Sequence, residues 1–557
     1  FPVGLFHSLL HAGLSRRSHS LKVGGEYRQN RVLLQISRFR RGQFSFGKVY
    51  TAQFPEDGAS RVATGNPLAE MMLGVASRTV SGTLAGIYNH SNFWAGYVQD
   101  DWKLTGRLTL NLGLRWEFAP PAVFPDGGPE IRQMGVSNYL TELAGLSRDD
   151  PRYGTFARPR DGGDCGCESK LDAFMPRVGL ALRLSRKSVL RAAVGSSFGL
   201  VGGASVWANQ TPDANEVTTA GTNTRPAAWV SQGLPRIPIP ALAPVPGSTV
   251  SASMTRQYRQ NVWQWFLDLQ RELPGGVLLT AGYAGSKSTH LGGLIDLNYP
   301  GPHPVVPAVQ RRLDPRWMGI GAVVPWGNAH FHGGIAKVEK RYARGLSFIA
   351  AYTLAKNIDD VTQMLDTGFT IRTNPLDWRM DRGRSNLDIR HSLTTSFTYE
   401  LPFAAGGWRE RVLGHWQAGG MLAARSGFPF EIQMPGDAQN SGTINRGNRV
   451  GSGRLENPTI DRSFDEGAFV AAAPGVYGNT GRNLLEGPGS FQLDALLARR
   501  FRMPWEGHWL QFRAEAFNAT NTARFGQPNG MLRTPSTAAI TTANHARRLQ
   551  FALRYEF

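Results

Sequence analysis

The last nine residues alternate without a break, with Leu549, Phe551, Leu553, Tyr555 and Phe557 on one side and Gln550, Ala552, Arg554 and Glu556 on the other. This period of two predicts a terminal β-strand with one oily and one wet face. The same pattern recurs upstream. Leu108, Leu110, Leu112, Leu114, Trp116 and Phe118 share a face, backed by Thr109, Asn111, Gly113, Arg115 and Glu117. Trp94, Gly96, Val98, Trp102 and Leu104 precede them across the turn Thr105–Arg107. Further alternating pairs flank Ser185–Lys187, Pro274–Gly276, Ala343–Gly345 and Pro504–Gly507, and single runs cover Leu393–Leu401 and His415–Ile432. Before Asn92 the pattern is weaker: Ser20–Gln29 and Phe39–Phe46 read as strands, and Asn66–Gly82 as a loop with a helical turn.

The connections carry as much information as the strands. Short polar or Gly/Pro turns alternate with segments of tens of residues, 119–173, 200–260, 289–329, 359–390, 433–489 and 522–548, all rich in Gly, Pro, Asn, Asp and Ser. Compact soluble domains seldom carry loops beyond about 12–15 residues. Outer-membrane barrels combine short periplasmic turns with long outer loops. The chain therefore reads as an all-β antiparallel transmembrane barrel of roughly sixteen strands with its C-terminus on the periplasmic side. Residues 1–91 hold the first strands and a long loop, and 92–557 the regular barrel.

Composition excludes other classes. Glycine is abundant at 65 of 557 residues, aromatics make up 10% and charged residues 18%, which does not describe a helical enzyme. No window reaches the roughly 18 apolar residues of a spanning helix. The net charge of +19 lacks the compact basic patch with interleaved aromatics that a nucleic-acid module requires. Its arginines are spread through strands and loops, where they line a lumen or meet anionic lipopolysaccharide, and no nucleic-acid partner is expected.

Several segments resemble the C-terminal barrel of Oar-like TonB-dependent transporters: 93–118 (FWAGYVQDDWKLTGRLTLNLGLRWEF), 176–199, 263–291, 337–360, 388–403, 517–529 and the closing LQFALRYEF. The resemblance runs in order from about Ser20. It implies a bacterial outer-membrane barrel of 22 strands around an N-terminal plug, energised through a TonB-binding segment by the inner-membrane TonB complex, for uptake of a large or scarce solute. Plug, TonB box and about six strands are not found in this sequence; an open barrel exposes unpaired edges to lipid, so the functional protein is expected to begin upstream of Phe1. The alternatives are a passive porin-like channel and a surface adhesion or export-associated barrel.

The residues offer little bond chemistry, and the chain is read as a non-enzyme without cofactor or resident metal. Gly195–Gly199 matches Gly-x-Ser-x-Gly but ends a strand instead of joining strand to helix. His330 and His332 share a face without an evident third ligand, and Cys165 and Cys167 sit in a Gly/Asp-rich loop beside Asp164 and Glu168. The expected functional positions are structural. Leu549, Phe551, Leu553, Tyr555 and Phe557 form the barrel-closing strand and the signal for the barrel-assembly machinery. Trp94, Trp102, Trp116, Trp263 and Trp265, with Trp416 and Trp509, are interfacial anchors. Asp388 and Arg390 are expected to form an ion pair at the rim. Solute contacts are expected in loops 119–173, 200–260 and 433–489.

Overall fold

The computed structural model describes residues 4–35, 42–53, 64–82, 86–120, 123–124, 131–134, 155–157, 163–164, 171–199, 216–222, 224–234, 249–254, 259–315, 319–361, 373–402, 414–544 and 546–557. Fifteen strands of nine residues or more carry the architecture: β1 (Gly4–Arg16), β2 (His19–Gln35), β3 (Gly86–Lys103), β4 (Leu108–Phe118), β5 (Ala173–Ser185), β6 (Ser188–Gly199), β7 (Gln260–Leu273), β8 (Val277–Asp296), β9 (Gly319–Ala343), β10 (Leu346–Asp359), β11 (His391–Glu400), β12 (Trp416–Arg425), β13 (Ser490–Arg502), β14 (Trp509–Phe517) and β15 (Arg548–Glu556). Each pairs antiparallel with its neighbour in sequence, giving one continuous meander. Among the described residues β1 and β15 are each paired on one side only.

Two expectations for the first 91 residues change. Gly4–Arg16 is a full strand, whereas Gln43–Ser45 is a three-residue loop strand paired with Arg78–Gly82. β1 escapes a period-two reading because apolar Leu5 and Phe6, and then Leu9 and Leu10, stand next to each other and so fall on opposite faces. A short helix, α1 (Pro67–Leu73), lies in the expected loop, with the Asn66 side chain accepting from the backbone N–H groups of Leu68 and Ala69. β3 runs through position 92 without interruption, so the first strands and the regular barrel form one sheet.

Register fixes which residues face inward. Gln99, Gly113, Arg177, Gly195, Gln264, Ser286 and Phe331 are successive cross-strand partners from β3 to β9. One residue along, Leu112, Val178, Val194 and Trp265 form the matching outer row. The outer row is apolar and solvent-exposed in the isolated chain: Leu114, Val178, Leu267 and Leu553 are 42, 47, 49 and 71% exposed. A soluble sheet would bury that face; here it is the surface for lipid. The turns are tight, and at Arg344–Gly345 both residues have positive φ, 54° and 76°, the backbone a two-residue hairpin requires.

One cluster of buried hydrophobic residues lies in the loops. Phe430, Ile432, Met434, Phe464, Phe469 and Leu532 pack together at 8% exposure or less. They come from the connections after β12 and β14. This corrects the reading of His415–Ile432 as one strand. β12 stops at Arg425, and the alternation of Phe428, Phe430 and Ile432 continues into the loop core.

Candidate functional site

On the lumen wall, polar side chains satisfy one another across strands. Arg115 donates to Glu26 at 2.8 Å and to Glu117 at 2.6 Å. Asn111 donates to Asp101 at 2.6 Å, and Lys22 lies 3.4 Å from the same carboxylate group. A concavity of about 780 Å³ lies at the wall between β3 and β9, with Gln99, Asn111, Arg177, Gln264, Phe266 and Ser286 among its lining residues. It combines amide, guanidinium and hydroxyl groups with the inward-facing rings of Phe266 and Phe331, a set suited to a polar solute.

Above the strands, four loops form one structure. The loop after β8 joins the loop after β12 through Arg311, which donates to the Asn440 carbonyl at 2.5 Å, and through Asn440 Nδ2, which donates to the Val306 carbonyl at 2.7 Å. The loop after β10 is held by two buried arginines. Arg446 pairs with Asp381 at 3.0 Å and with Glu431 at 2.5 Å. Arg482 pairs with Asp359 and donates to the Asp381 carbonyl at 2.8 Å. The loop after β14 is tied in by Leu532 N–H to the Gln433 carbonyl and Ser463 N–H to the Ala538 carbonyl. Burial pushes the Tyr299 phenol up to about 12, in keeping with its place where two of these loops meet against Tyr477.

Loop 433–489 is thus a folded wall, and its buried arginines are spent on carboxylates and carbonyls. Loops 119–173 and 200–260 fall largely outside the described residues. Within the second, Glu216–Ala220 pairs with Arg78–Gly82, and Ala228–Trp229 with Val75–Ala76, so the loops after β2 and β6 also join. Neither cap was visible in sequence, because each is assembled from segments far apart in the chain.

The rim pair differs from expectation. Asp388 is buried and accepts from Arg384 Nε at 2.7 Å and from the Asn357 N–H at 2.6 Å. Arg390 instead donates to the Ala355 carbonyl at 3.3 Å. The turn at Asn386–Leu387 brings the Asp388 carboxylate back to the Arg384 guanidinium. The partner of Asp388 was present in the sequence, in the charged loop just before.

The tryptophans lie at two heights. Trp102, beside a short turn, stacks on His19 at 5.2 Å; at the same end Arg499 lies over Trp416 and Arg500 over Trp509. Trp94 and Trp116 both stack with Phe118 at the loop end, and Trp116 also donates to the Leu171 carbonyl. Trp263 and Trp265 occupy the loop end of β7. A Cβ at Gly285 would come within 2.5 Å of the Trp265 ring, so glycine there provides the space the indole occupies. On β15, Leu549, Phe551, Leu553, Tyr555 and Phe557 are exposed, and Tyr555 lies 2.6 Å from His508 Nδ1.

The remaining motifs hold no reactive geometry. Gly195–Gly199 is extended and paired with Gln260–Gln264, without the turn that exposes a nucleophilic serine. His330 lies against Lys287 and His332 against Tyr283, and no cluster of three metal-ligating side chains occurs among the described residues. Cys165, Cys167 and Glu168 lie outside the described residues.

An exposed apolar outer face, a polar lumen wall and alternating short and long connections define an outer-membrane β-barrel. Residues 11–550 match the outer membrane beta barrel domain family, and the chain belongs to it. Comparison with curated proteins by sequence finds no match. Among solved structures it is similar to the ferric enterobactin receptor of Pseudomonas aeruginosa, at 10% identity and TM-score 0.47, covering 99% of this chain and 54% of that one. It is also similar to the siderophore receptor PiuA of Acinetobacter baumannii, at 11% identity and TM-score 0.45, covering 99% and 56%. The ferric citrate transporter FecA gives 12% identity and TM-score 0.43, covering 99% and 53%. The chain spans about half the length of the solved structures it matches.

Proposed function

We propose that the chain is the barrel part of a TonB-dependent outer-membrane receptor, which captures a large or scarce solute on its loops and passes it inward with energy from the inner-membrane TonB complex. The observation that carries this reading is the loop cap. A general diffusion channel needs an open mouth, whereas here four loops are tied together: those after β12 and β14 by a hydrophobic core, those after β10 and β12 by buried ion pairs, and the loop after β8 by hydrogen bonds to Asn440. Such a preorganised surface loses little entropy on binding and suits selective capture. The ordered resemblance of segments 93–118 to 517–529 to Oar-like transporters supports the same reading.

The test is uptake by cells carrying the complete receptor that contains this barrel. Its cargo should accumulate with the proton-motive force intact and fall to background with an uncoupler or without TonB. Uptake that continues undiminished under both conditions would identify a passive channel instead.

A further inference from the structure

Along much of the lumen wall each cation has a carboxylate beside it. Arg115 pairs with Glu26 and Glu117, Lys22 with Asp101, Lys337 with Glu339, Arg513 with Glu515 and Arg500 with Glu556. The inner face of β5 and β6 differs. Arg177, Arg183 and Arg191 are exposed there and enter no ion pair among the described residues.

Register sets these guanidinium groups in a line. Arg177 is the cross-strand partner of Gly113 and Gly195 on the inner row, and it lines the wall concavity. Arg191 is the partner of Ala181, which stands between Arg177 and Arg183 on β5, so alternation keeps all of them on the lumen side. At a rise of about 3.4 Å per residue, the steps from Arg177 to Ala181 and on to Arg183 are roughly 14 Å and 7 Å along the strand. The line ends at the short-turn rim, where Lys103, Arg107, Arg186 and Lys187 are also exposed and enter no ion pair among the described residues. The Arg183 N–H donates to the Arg107 carbonyl at 2.8 Å, which joins the two turns into one edge.

The neighbours of the strip leave its charge open. Glycines flank Arg177, and Val189 is the partner of Arg183. Asp268 is the direct partner of Arg191, yet its carboxylate lies over Gly282 on β8, where a Cβ would collide with it. The absence of a side chain at Gly282 thus gives the carboxylate a place away from the arginine.

We infer that this strip is a binding track for the anionic groups of the solute, leading from the wall concavity to the periplasmic rim. The inference rests on the reading of the barrel as a solute path, and it names the class of that solute: one that carries carboxylate or phosphate groups. Guanidinium groups meet either anion through paired N–H donors. A wall of one sign of charge beside a low-dielectric barrel also raises the local concentration of anions. Elsewhere on the wall the arginines are spent on their own carboxylates and offer no such hold.

The experiment reads the strip with charged thiol reagents on the purified chain in detergent. Cys165 and Cys167 are replaced by serine, and Ala181→Cys places a thiol opposite Arg191. Modification rates are compared for the anionic sulfonatoethyl methanethiosulfonate and the cationic trimethylammonioethyl methanethiosulfonate, with and without inorganic pyrophosphate. We expect the anionic-to-cationic rate ratio to fall about tenfold in R177Q/R183Q/R191Q, and to be kept in R177K/R183K/R191K and in R513Q, whose arginine lies on β14 beside Glu515. Pyrophosphate should slow the anionic reagent more than chloride does at equal ionic strength, and this protection should vanish in the glutamine variant. An unchanged ratio in the glutamine variant, an equal fall in R513Q, or no protection by pyrophosphate would overturn the assignment. The heat-dependent mobility of each variant and the retained ratio in the lysine variant separate a lost track from a misfolded barrel. Neither TonB nor an energy source enters the assay, so its outcome is independent of whether uptake is energised.

Discussion

Arg446 and Arg482 show how single residues hold the loops in shape. Each guanidinium is nearly inaccessible, and each bridges segments distant in sequence. A buried charge is tolerated only when its partners surround it, and removing one member of such a pair typically costs about 3–5 kcal/mol. Arg446→Leu leaves Asp381 and Glu431 without their shared cation. The expected result is faster hydrogen exchange in 373–390 and 426–489, with exchange in the strands unchanged. Protection unaltered in both loops would show that the hydrophobic core alone maintains the cap. At this scale the sequence was only partly legible. The charged loop 378–384 and Asp388 stood out, but which arginine met which carboxylate depended on turns that a linear pattern does not encode.

At the level of the strand, one residue of displacement exchanges lipid for lumen, and β11 carries its own control. Thr394 is the cross-strand partner of Ala351 and Ala423, and Thr395 of Ala350 and Leu422. The side chains are identical and the faces opposite. Thr395→Arg places a cation in the apolar band, at an expected cost of about 2–4 kcal/mol near the midplane. Thr394→Arg should be almost neutral. Urea titration of folding into bilayers, read by the heat-dependent mobility of the barrel, compares the two. Equal costs would contradict the assigned register. Strands such as β4 and β15 were plain in sequence because every second residue is apolar. The same signal misled after Arg425, where alternation serves a loop core, and it was silent in β1, where adjacent apolar residues break the period.

For the whole molecule, the alternation of short and long connections sets the topology, and the fold reproduces it from β1 to β15. What the sequence did not convey is that the long connections are folded. Glycine, proline and asparagine read as structureless, yet the loop after β12 buries its phenylalanines with Leu532 of the loop after β14 and its arginines against Asp359 and Asp381. Their contacts join residues more than a hundred positions apart, such as Arg482 and Asp359, which no local pattern reveals. His330 and His332 were noticed as a pair, but their cross-strand neighbours Lys287 and Lys356 joined them only through the strand register.

The central claim, a barrel that presents its folded loops outside and its short turns to the periplasm, is tested most directly by labelling single cysteines on intact cells. In a background with Cys165 and Cys167 replaced by serine, one cysteine replaces Glu456 in the exposed loop after β12 and another replaces Gly106 in the turn between β3 and β4. A membrane-impermeant maleimide should modify the first in intact cells, and the second only after the outer membrane is permeabilised. Labelling of the turn cysteine in intact cells, with the loop cysteine protected, would contradict the topology and the function built on it.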